Sequence, residues 1–380
     1  MIEIRSQIPF TFSEPVLSLG GDQKSRFCLA RGDRVLISPD FGDLRSAGNL
    51  TAYRAGLAKA CREVKFTPRI LAHDLHPEYA TTLLAPDLAA SFSPRPSLRP
   101  VQHHHAHLAA VLAERGLAGP VIGIIWDGTG YGVDGTIWGG EFMIGGIDTC
   151  RRAAHLEYIP LPGGEKAIAE PWRMAVAALH QFRGEDLSRL DIPFTRKLNP
   201  KKLPLLLSMI ERGINSPPTS SMGRLFDAVS ALIGTGWINN YPAEAAIALE
   251  EASAGETGEP YPFRLHRRMK PYSIQLKPLF SALLEDIKQR RGREVIAARF
   301  HATVIAIGSR VAGLLARDTG LTDVVLSGGV FLNRIVREGL AEALEAGGLK
   351  PILPKIFSVD DGAIALGQAA VAGEAGMTKE

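Results

Sequence analysis

His103 and His107 stand four residues apart in the run HHHAH. On a helix that spacing puts both imidazoles on one face, and neutral imidazole is a common metal ligand. A lone HxxxH pair is as readily two core or surface histidines. Here four of the chain's 10 histidines crowd into one short run just ahead of a glycine-rich acidic turn, which favours a metal. His104 and His105 point elsewhere on such a helix, as supporting or surface groups. Asp127 closes the apolar run VIGIIWD and opens DGTGYG. A carboxylate at the end of a buried strand suits metal or phosphate chemistry, and the glycines after it let backbone N–H groups approach an anion. The plain alternative is an acidic β-turn. The string fits neither the Walker loop nor the dinucleotide fingerprint.

Two further turns could take part. LSGGVFLN, residues 326–333, reads as a strand, a Gly-Gly turn and a helix start, a geometry that accepts phosphate on backbone N–H groups. Asp360-Asp361-Gly362 also opens a helix, and an aspartate there is as readily a cap as a ligand. In GRLFDAVSALIG an apolar helical face is broken by Arg224 and Asp227. These form either a solvated ion pair or cap, or a site where Asp227 accepts from ribose hydroxyls.

The elements that must position these groups alternate between strand and helix. PVLSLGG, SRFCLAR and RVLISPDFG read as strands, followed by a helix over 49–64 capped by Asn49 or Thr51. RILAHDLHP is a short strand. A helix then carries the histidines and stops at Gly116, Gly119 and Pro120. PVIGIIWDGTGYGVDGTIWGGEFMIGG echoes the first strand–glycine–strand unit, which fits two related lobes facing one cleft. Strand–turn–helix units close the chain, so the fold class is α/β. We expect an N-terminal lobe over 1–118 and a C-terminal lobe over 119–380. The latter carries a helical insertion around 183–277, and the last helix returns to the first lobe.

With 380 residues, 46% hydrophobic and 22% charged, the chain is globular and long enough for two domains. A net charge of +3 gives no argument for nucleic acid or a membrane surface. Cys28, Cys61 and Cys150 are odd in number and lack a CxxC pair, which argues against disulfides or a zinc finger and for a reducing cytoplasm. They read as buried structural thiols. The opening MIEIRSQIPF does not read as a signal peptide, and no apolar run reaches the length of a membrane span.

At this point a resemblance becomes visible. KSRFCLARG, FGDL, AHDLHPEY, VQHHHAH, WDGTGYGVDGTIWGGEF, LPGGEKAIAEPWRMA, SMGRLFDAVSALIG, Phe300-His301, LSGGVFLNR and DDGAIALGQA run nearly the whole chain in order. The sequence resembles the C-terminal carbamoyltransferase domain of the HypF family of hydrogenase maturation factors. That domain is similar to the tRNA threonylcarbamoyl transferases and antibiotic O-carbamoyltransferases. The resemblance implies two actin/hexokinase-like (ASKHA, ribonuclease-H-like) lobes with a nucleotide cleft between them. It implies a divalent metal (Fe, Zn or Mn) on His103, His107, Asp127 and Asp361, with counting back from the helix LGQ favouring Asp361 over Asp360. It implies nucleotide contacts from Gly128, Thr129, Gly130, Gly223, Asp227, Gly328, Gly329 and Asn333, with Lys24 and Glu244 as further candidates.

The activity implied is carbamoyl transfer from carbamoyladenylate, itself made from carbamoyl phosphate and ATP. The acceptor would be the C-terminal cysteine of a HypE-type partner, for cyanide ligand synthesis. Full-length members resemble four modules in series: acylphosphatase, zinc finger, carbamoyladenylate-forming and transferase. Only the last corresponds to this sequence, which is expected to be a short form or an excised domain. Two other readings compete: a carbamoyl-phosphate- or ATP-cleaving hydrolase, and a non-catalytic nucleotide-binding scaffold.

Overall fold

In the computed structural model, which describes residues 3–183, 187, 190–253 and 255–374, the chain opens with β1 (Ile4–Ser18). Its burial alternates over the first half, as on a half-exposed strand. Burial becomes continuous at Val16–Ser18, where the strand enters the core. β2 (Cys28–Ile37) returns antiparallel to it. SRFCLAR and RVLISPDFG therefore belong to one strand rather than two: Gly32, at a left-handed φ of 58°, faces Phe12 at a register shift and carries the strand through. Next come α1 (Ala47–Glu63), β3 (Ile70–Asp74), α2 (Ala80–Ala90), β4 (Ser97–Val101) and α3 (His103–Arg115). The first sheet has the order β2-β1-β3-β4, with β3 parallel to both β1 and β4. Ser46, not Asn49 or Thr51, stands at the cap position of α1. The latter two side chains donate to the carbonyls of Asp43 and Ala47 instead.

Gly116 ends α3 in the left-handed conformation. The second sheet then opens with the meander β5 (Val121–Tyr131), β6 (Ile137–Gly145) and β7 (Cys150–Leu156). The short strands β8 (Ile159–Pro160) and β9 (Pro218–Thr219) pair beside β6. Between them lie α4 (Glu165–Ala169), α5 (Pro171–Arg183), α6 (Pro193–Arg196) and α7 (Lys202–Glu211). The chain continues through α8 (Met222–Ile233), α9 (Glu244–Ala252), the hairpin β10 (Arg264–His266) and β11 (Tyr272–Gln275), α10 (Lys277–Lys288) and α11 (Arg293–Thr319). It ends with β12 (Asp323–Ser327), α12 (Arg334–Ala346), β13 (Lys350–Ile352) and α13 (Ile364–Glu374). The strand path is β10-β11-β7-β6-β5-β12-β13, with β12 parallel to β5 and to β13. Segment 183–277 carries α6–α9 but also β9, β10 and β11; its residues 184–186, 188, 189 and 254 lie outside the described ones.

The two sheets share one plan. In each, the first strand of a hairpin is flanked on its other side by two parallel strands, β2-β1-β3-β4 against β6-β5-β12-β13. The echo of two strand–glycine–strand units is this repeated plan, and the fold is that of two ASKHA-type α/β lobes. Helices α3 and α13 join the lobes, because one apolar cluster unites Val16 and Ile70 of the first sheet with Ile125 and Val325 of the second around them. Both helices present small residues where they meet. A Cβ on Gly367 of α13 would collide with the carbonyl of Ala106 of α3, so only glycine allows this approach.

By length and composition α11 is a helix that could cross a membrane, where the residue pattern shows no such run. However, 61% of its apolar window is buried inside the protein, and it packs on α8, α9, α12 and β5 as a core helix.

Candidate metal centre

Gln102 fixes the start of α3. Its side chain accepts from the His105 N–H at 2.8 Å and donates to the Tyr131 carbonyl at 3.0 Å, tying the helix to the end of β5. His103 and His107 thus lie one turn apart, pointing towards β5 and the turn before α13. Asp127 leaves β5 within an irregularity between Trp126 and Gly130. Asp361 opens the single turn Asp361–Ala363 that leads into α13. His103 Nε2 is 3.6 Å from Asp127 Oδ2 and 3.7 Å from Asp361 Oδ1, and His107 Nε2 is 3.7 Å and 3.4 Å from the same atoms. One ligand atom from each residue lies within 4.8 Å of all the others. Four donors held about 2.1 Å from a tetrahedral metal stand about 3.4 Å apart, so the spacing fits one ion. Both Nε2 atoms are buried and have no hydrogen-bond partner. A cation is what such a pair of orphaned acceptors beside two carboxylates accommodates.

The other face of each imidazole is held as well. His103 Nδ1 lies 2.8 Å from the buried Asp74 Oδ2, and His107 Nδ1 lies 3.4 Å from Ser327 Oγ. A proton on Nδ1 leaves the Nε2 lone pair facing the centre, the usual support for a metal-bound histidine. Sequence reading missed Asp74 and Ser327. The available signal for Asp74 was its place at the end of the apolar run RILAHD, the same pattern as VIGIIWD.

Electrostatics follow from this packing. Burial favours neutral His103, yet the Asp74 charge and the nearby carboxylates of Asp127 and Asp361 hold its pKa well above the ordinary value. His107 is raised too, with Asp127 and Asp361 outweighing burial. Burial alone would raise both carboxyls, but the histidines draw Asp127 far down and Asp361 down as well. Protons therefore neutralise the cluster when no cation does. His104 is different: burial keeps it neutral, with a pKa well below normal, and His105 Nε2 binds the Gly146 carbonyl at 2.9 Å.

The glycines divide by role. A Cβ on Gly130 would stand 2.5 Å from the His104 ring and 2.9 Å from the His103 ring, so this glycine gives the histidines room. Gly329 donates its N–H to Asp127 Oδ1 at 3.0 Å. Gly328 takes a φ of 107° with its Cα against the Trp126 carbonyl, which excludes a side chain. Gly128 has open space where a Cβ would be, Thr129 beside it is half-buried, and Gly223 of α8 packs on the Gly128 backbone. Ser221 caps α8 and donates to the Gly128 carbonyl at 2.6 Å, which anchors the helix N-terminus to the peptide following Asp127.

The other candidates lie outside the four-donor group. Asp227 forms a buried, not a solvated, pair with Arg224 at 2.7 Å, and burial raises its carboxyl pKa. Asn333 caps α12 through Val336 N–H at 2.9 Å and lies 3.0 Å from His301 Nε2. Glu244 accepts from Asn240 Nδ2 at 3.1 Å. Lys24 pairs with Asp360. Asp360 also accepts from Ser358 Oγ at 2.6 Å and from the Gly362 N–H at 3.0 Å. Thus Asp360 caps the turn, while Asp361 faces the histidines.

Fold and centre together define a two-lobed α/β protein with a His2Asp2 metal-type site between its lobes. Residues 123–368 match the family described as carbamoyltransferase, Kae1-like domain, second subdomain, and residues 11–114 match the HypF Kae1-like domain. The chain belongs to the HypF carbamoyltransferase family. It is 38% identical to carbamoyltransferase HypF2 of Cupriavidus necator over 94% of its own length and 46% of the relative's. It is also 38% identical to the HypF homolog of the same organism, over 94% and 91% of the two chains. A crystal structure of full-length HypF in a phosphate- and nucleotide-bound form superposes with a TM-score of 0.90 at 34% identity, covering 97% of this chain and 57% of that one. The chain therefore spans about half the length of the longer relatives.

Proposed function

We propose that this chain transfers a carbamoyl group from carbamoyladenylate to the C-terminal cysteine of a HypE-type maturation protein, for cyanide ligand synthesis in nickel–iron hydrogenase. The observation that carries the reading is the four-donor centre, with the Gly329 N–H on Asp127 beside it, in a chain of this family. A divalent Fe, Zn or Mn ion on His103, His107, Asp127 and Asp361 would supply Lewis-acid polarisation and charge neutralisation there. The chain's own residues do the rest. Gly128, Thr129, Gly130, Gly223, Gly328 and Gly329 offer backbone edges to the AMP or ATP phosphates. Lys24, Asp227, Glu244 and Asn333 complete the nucleotide side. The crystallised relative's phosphate- and nucleotide-bound form supports nucleotide binding in this family.

A thiolate is the attacking group, since thiolate rather than thiol is nucleophilic. Burial pushes Cys28 and Cys150 up to about 12 and Cys61 up to about 11. The chain's own thiols thus stay protonated, in keeping with an acceptor thiol supplied by a partner. We place the reaction in the cytoplasm, with neither nucleic acid nor membrane as a partner.

The test is mass spectrometry of the partner's terminal cysteine after incubation with this chain, metal and either carbamoyladenylate or carbamoyl phosphate plus ATP. A carbamoyl adduct is expected. Phosphate release without an adduct would make the chain a hydrolase, and nucleotide binding without either would make it a scaffold. Adduct from carbamoyladenylate alone would assign donor synthesis to another module.

A further inference from the structure

Asp74 does more than orient His103. Its Oδ1 accepts the backbone N–H of His76 at 2.9 Å, while its Oδ2 holds His103 Nδ1. The turn after β3 is therefore locked to the metal-type centre through one carboxylate. On that turn the His76 ring lies flat against Tyr79, with centroids 4.2 Å apart and planes at 7°. The edge of Tyr131, from the end of β5, closes on His76 at 5.3 Å, so the stack is gripped by both lobes. His76 Nδ1 accepts the Glu78 N–H at 3.1 Å, which fixes the ring from behind.

Tyr79 occupies the N-cap position of α2, yet its side chain caps nothing. Asp22 does that work instead, accepting from the Ala80 and Thr81 N–H groups at 2.7 and 3.1 Å. Gly21 lies between the Tyr79 ring and His103: its missing Cβ would stand 4.0 Å from both His103 Cε1 and Tyr79 Cε2, the ring carbon next to the hydroxyl-bearing one. Burial keeps the phenol protonated, outweighing the opposing effect of His103, and the nearby carboxylates of Asp74, Asp361 and Asp22 add smaller support. A rigidly mounted, neutral O–H near a four-donor centre is available to donate a hydrogen bond to a reacting oxygen.

Building on the carbamoyl-transfer reading, we propose that the Tyr79 hydroxyl is a catalytic donor to the carbamoyl oxygen, and that His76 is the residue that positions it. In the transfer, the acceptor sulfur forms a bond to the carbamoyl carbon and the carbonyl oxygen takes on negative charge. The bond from that carbon to the phosphate oxygen then breaks, the electron pair leaves on the phosphate, and the thiol proton has already passed to the medium. Tyr79 transfers no proton; its hydrogen bond strengthens as charge builds on the oxygen.

The experiment compares the metal-loaded chain with Tyr79→Phe, His76→Ala and His76→Phe. It records metal content, transfer rate and the infrared carbonyl band of bound carbamoyladenylate labelled with carbon-13 at the carbamoyl carbon. Tyr79→Phe should keep full metal content and melting temperature. Its carbonyl band should move towards the free ligand's position, and kcat should fall on the order of 100-fold. His76→Phe, which retains a flat ring under Tyr79, should keep the wild-type band, whereas His76→Ala should shift it as Tyr79→Phe does. A wild-type chain that binds no carbamoyladenylate would overturn the transfer reading and this assignment together. Wild-type binding with an unchanged band and rate in Tyr79→Phe would overturn the role of Tyr79 alone.

Discussion

At the level of single residues, the centre is a set of donors whose orientation is fixed from outside. Replacing His103 or His107 with Ala removes one of the two proposed neutral ligands, and we expect bound metal to fall to a trace by elemental analysis while the fold persists. Asp74→Asn keeps the size of the side chain but removes the charge behind His103. Support of this kind is worth about 10- to 100-fold in metal affinity, so competition with a chelator should show a loss in that range. Asp361→Asn should lower metal content, whereas Asp360→Asn should leave it intact and loosen the turn that Asp360 caps. Equal metal loss in both variants would contradict the division of labour between these neighbours. The sequence places two aspartates side by side, but only the direction of each side chain distinguishes cap from ligand.

At the level of elements, the centre exists because α3 and α13 come close enough for a turn before one to meet the first turn of the other. Gly367 sets that approach, its Cα resting on the carbonyl of Ala106, between the two histidines in sequence. Gly367→Ala must push the helices apart. Overpacking of this kind costs about 1–3 kcal/mol, and it moves Asp361 away from His103 and His107. We expect both a lower melting temperature and weaker metal binding, measured by thermal denaturation with and without metal. Loss of stability with unchanged affinity would show that the turn, not the helix contact, places Asp361. The HxxxH spacing and the strand-ending Asp127 were legible because helix and strand periodicity are local. Asp74 and Ser327 were not, because their partner histidines are 29 and 220 residues away in the chain.

For the whole molecule, the proposed metal and protons would compete for the same pocket. In the metal-free protein His103 titrates above its unfolded value of about 6.5, so its contribution to stability is complete below that value and is lost as pH rises through the folded one. Asp127 works in the opposite sense: its lowered pKa stabilises above about 3.9, and that contribution is lost as pH falls further. Metal must displace the histidine protons, so its stabilisation grows with pH. The gap in melting temperature between metal-loaded and chelator-treated protein should therefore widen from about pH 6 to about pH 9. A gap that narrows would place the metal elsewhere. Between the lobes, Arg45 pairs with Glu165, but both side chains are half-exposed or more. Glu165→Gln should change stability by less than about 1 kcal/mol, because the apolar cluster around α3 and α13 holds the lobes together.

By itself the sequence determined the α/β class, the repeated strand–glycine–strand plan, the histidine pair and the acidic turns, since each is written in neighbouring residues. The family resemblance supplied the ligand set that spacing alone left open. What only tertiary structure decided is which groups meet. Helix α13 crosses the chain to lie against α3, so Asp361 reaches histidines more than 250 residues earlier. β3 parallel to β1 delivers Asp74 behind His103. Contacts between distant segments depend on how apolar faces are buried together, and the residues that make them carry no local mark of their partners.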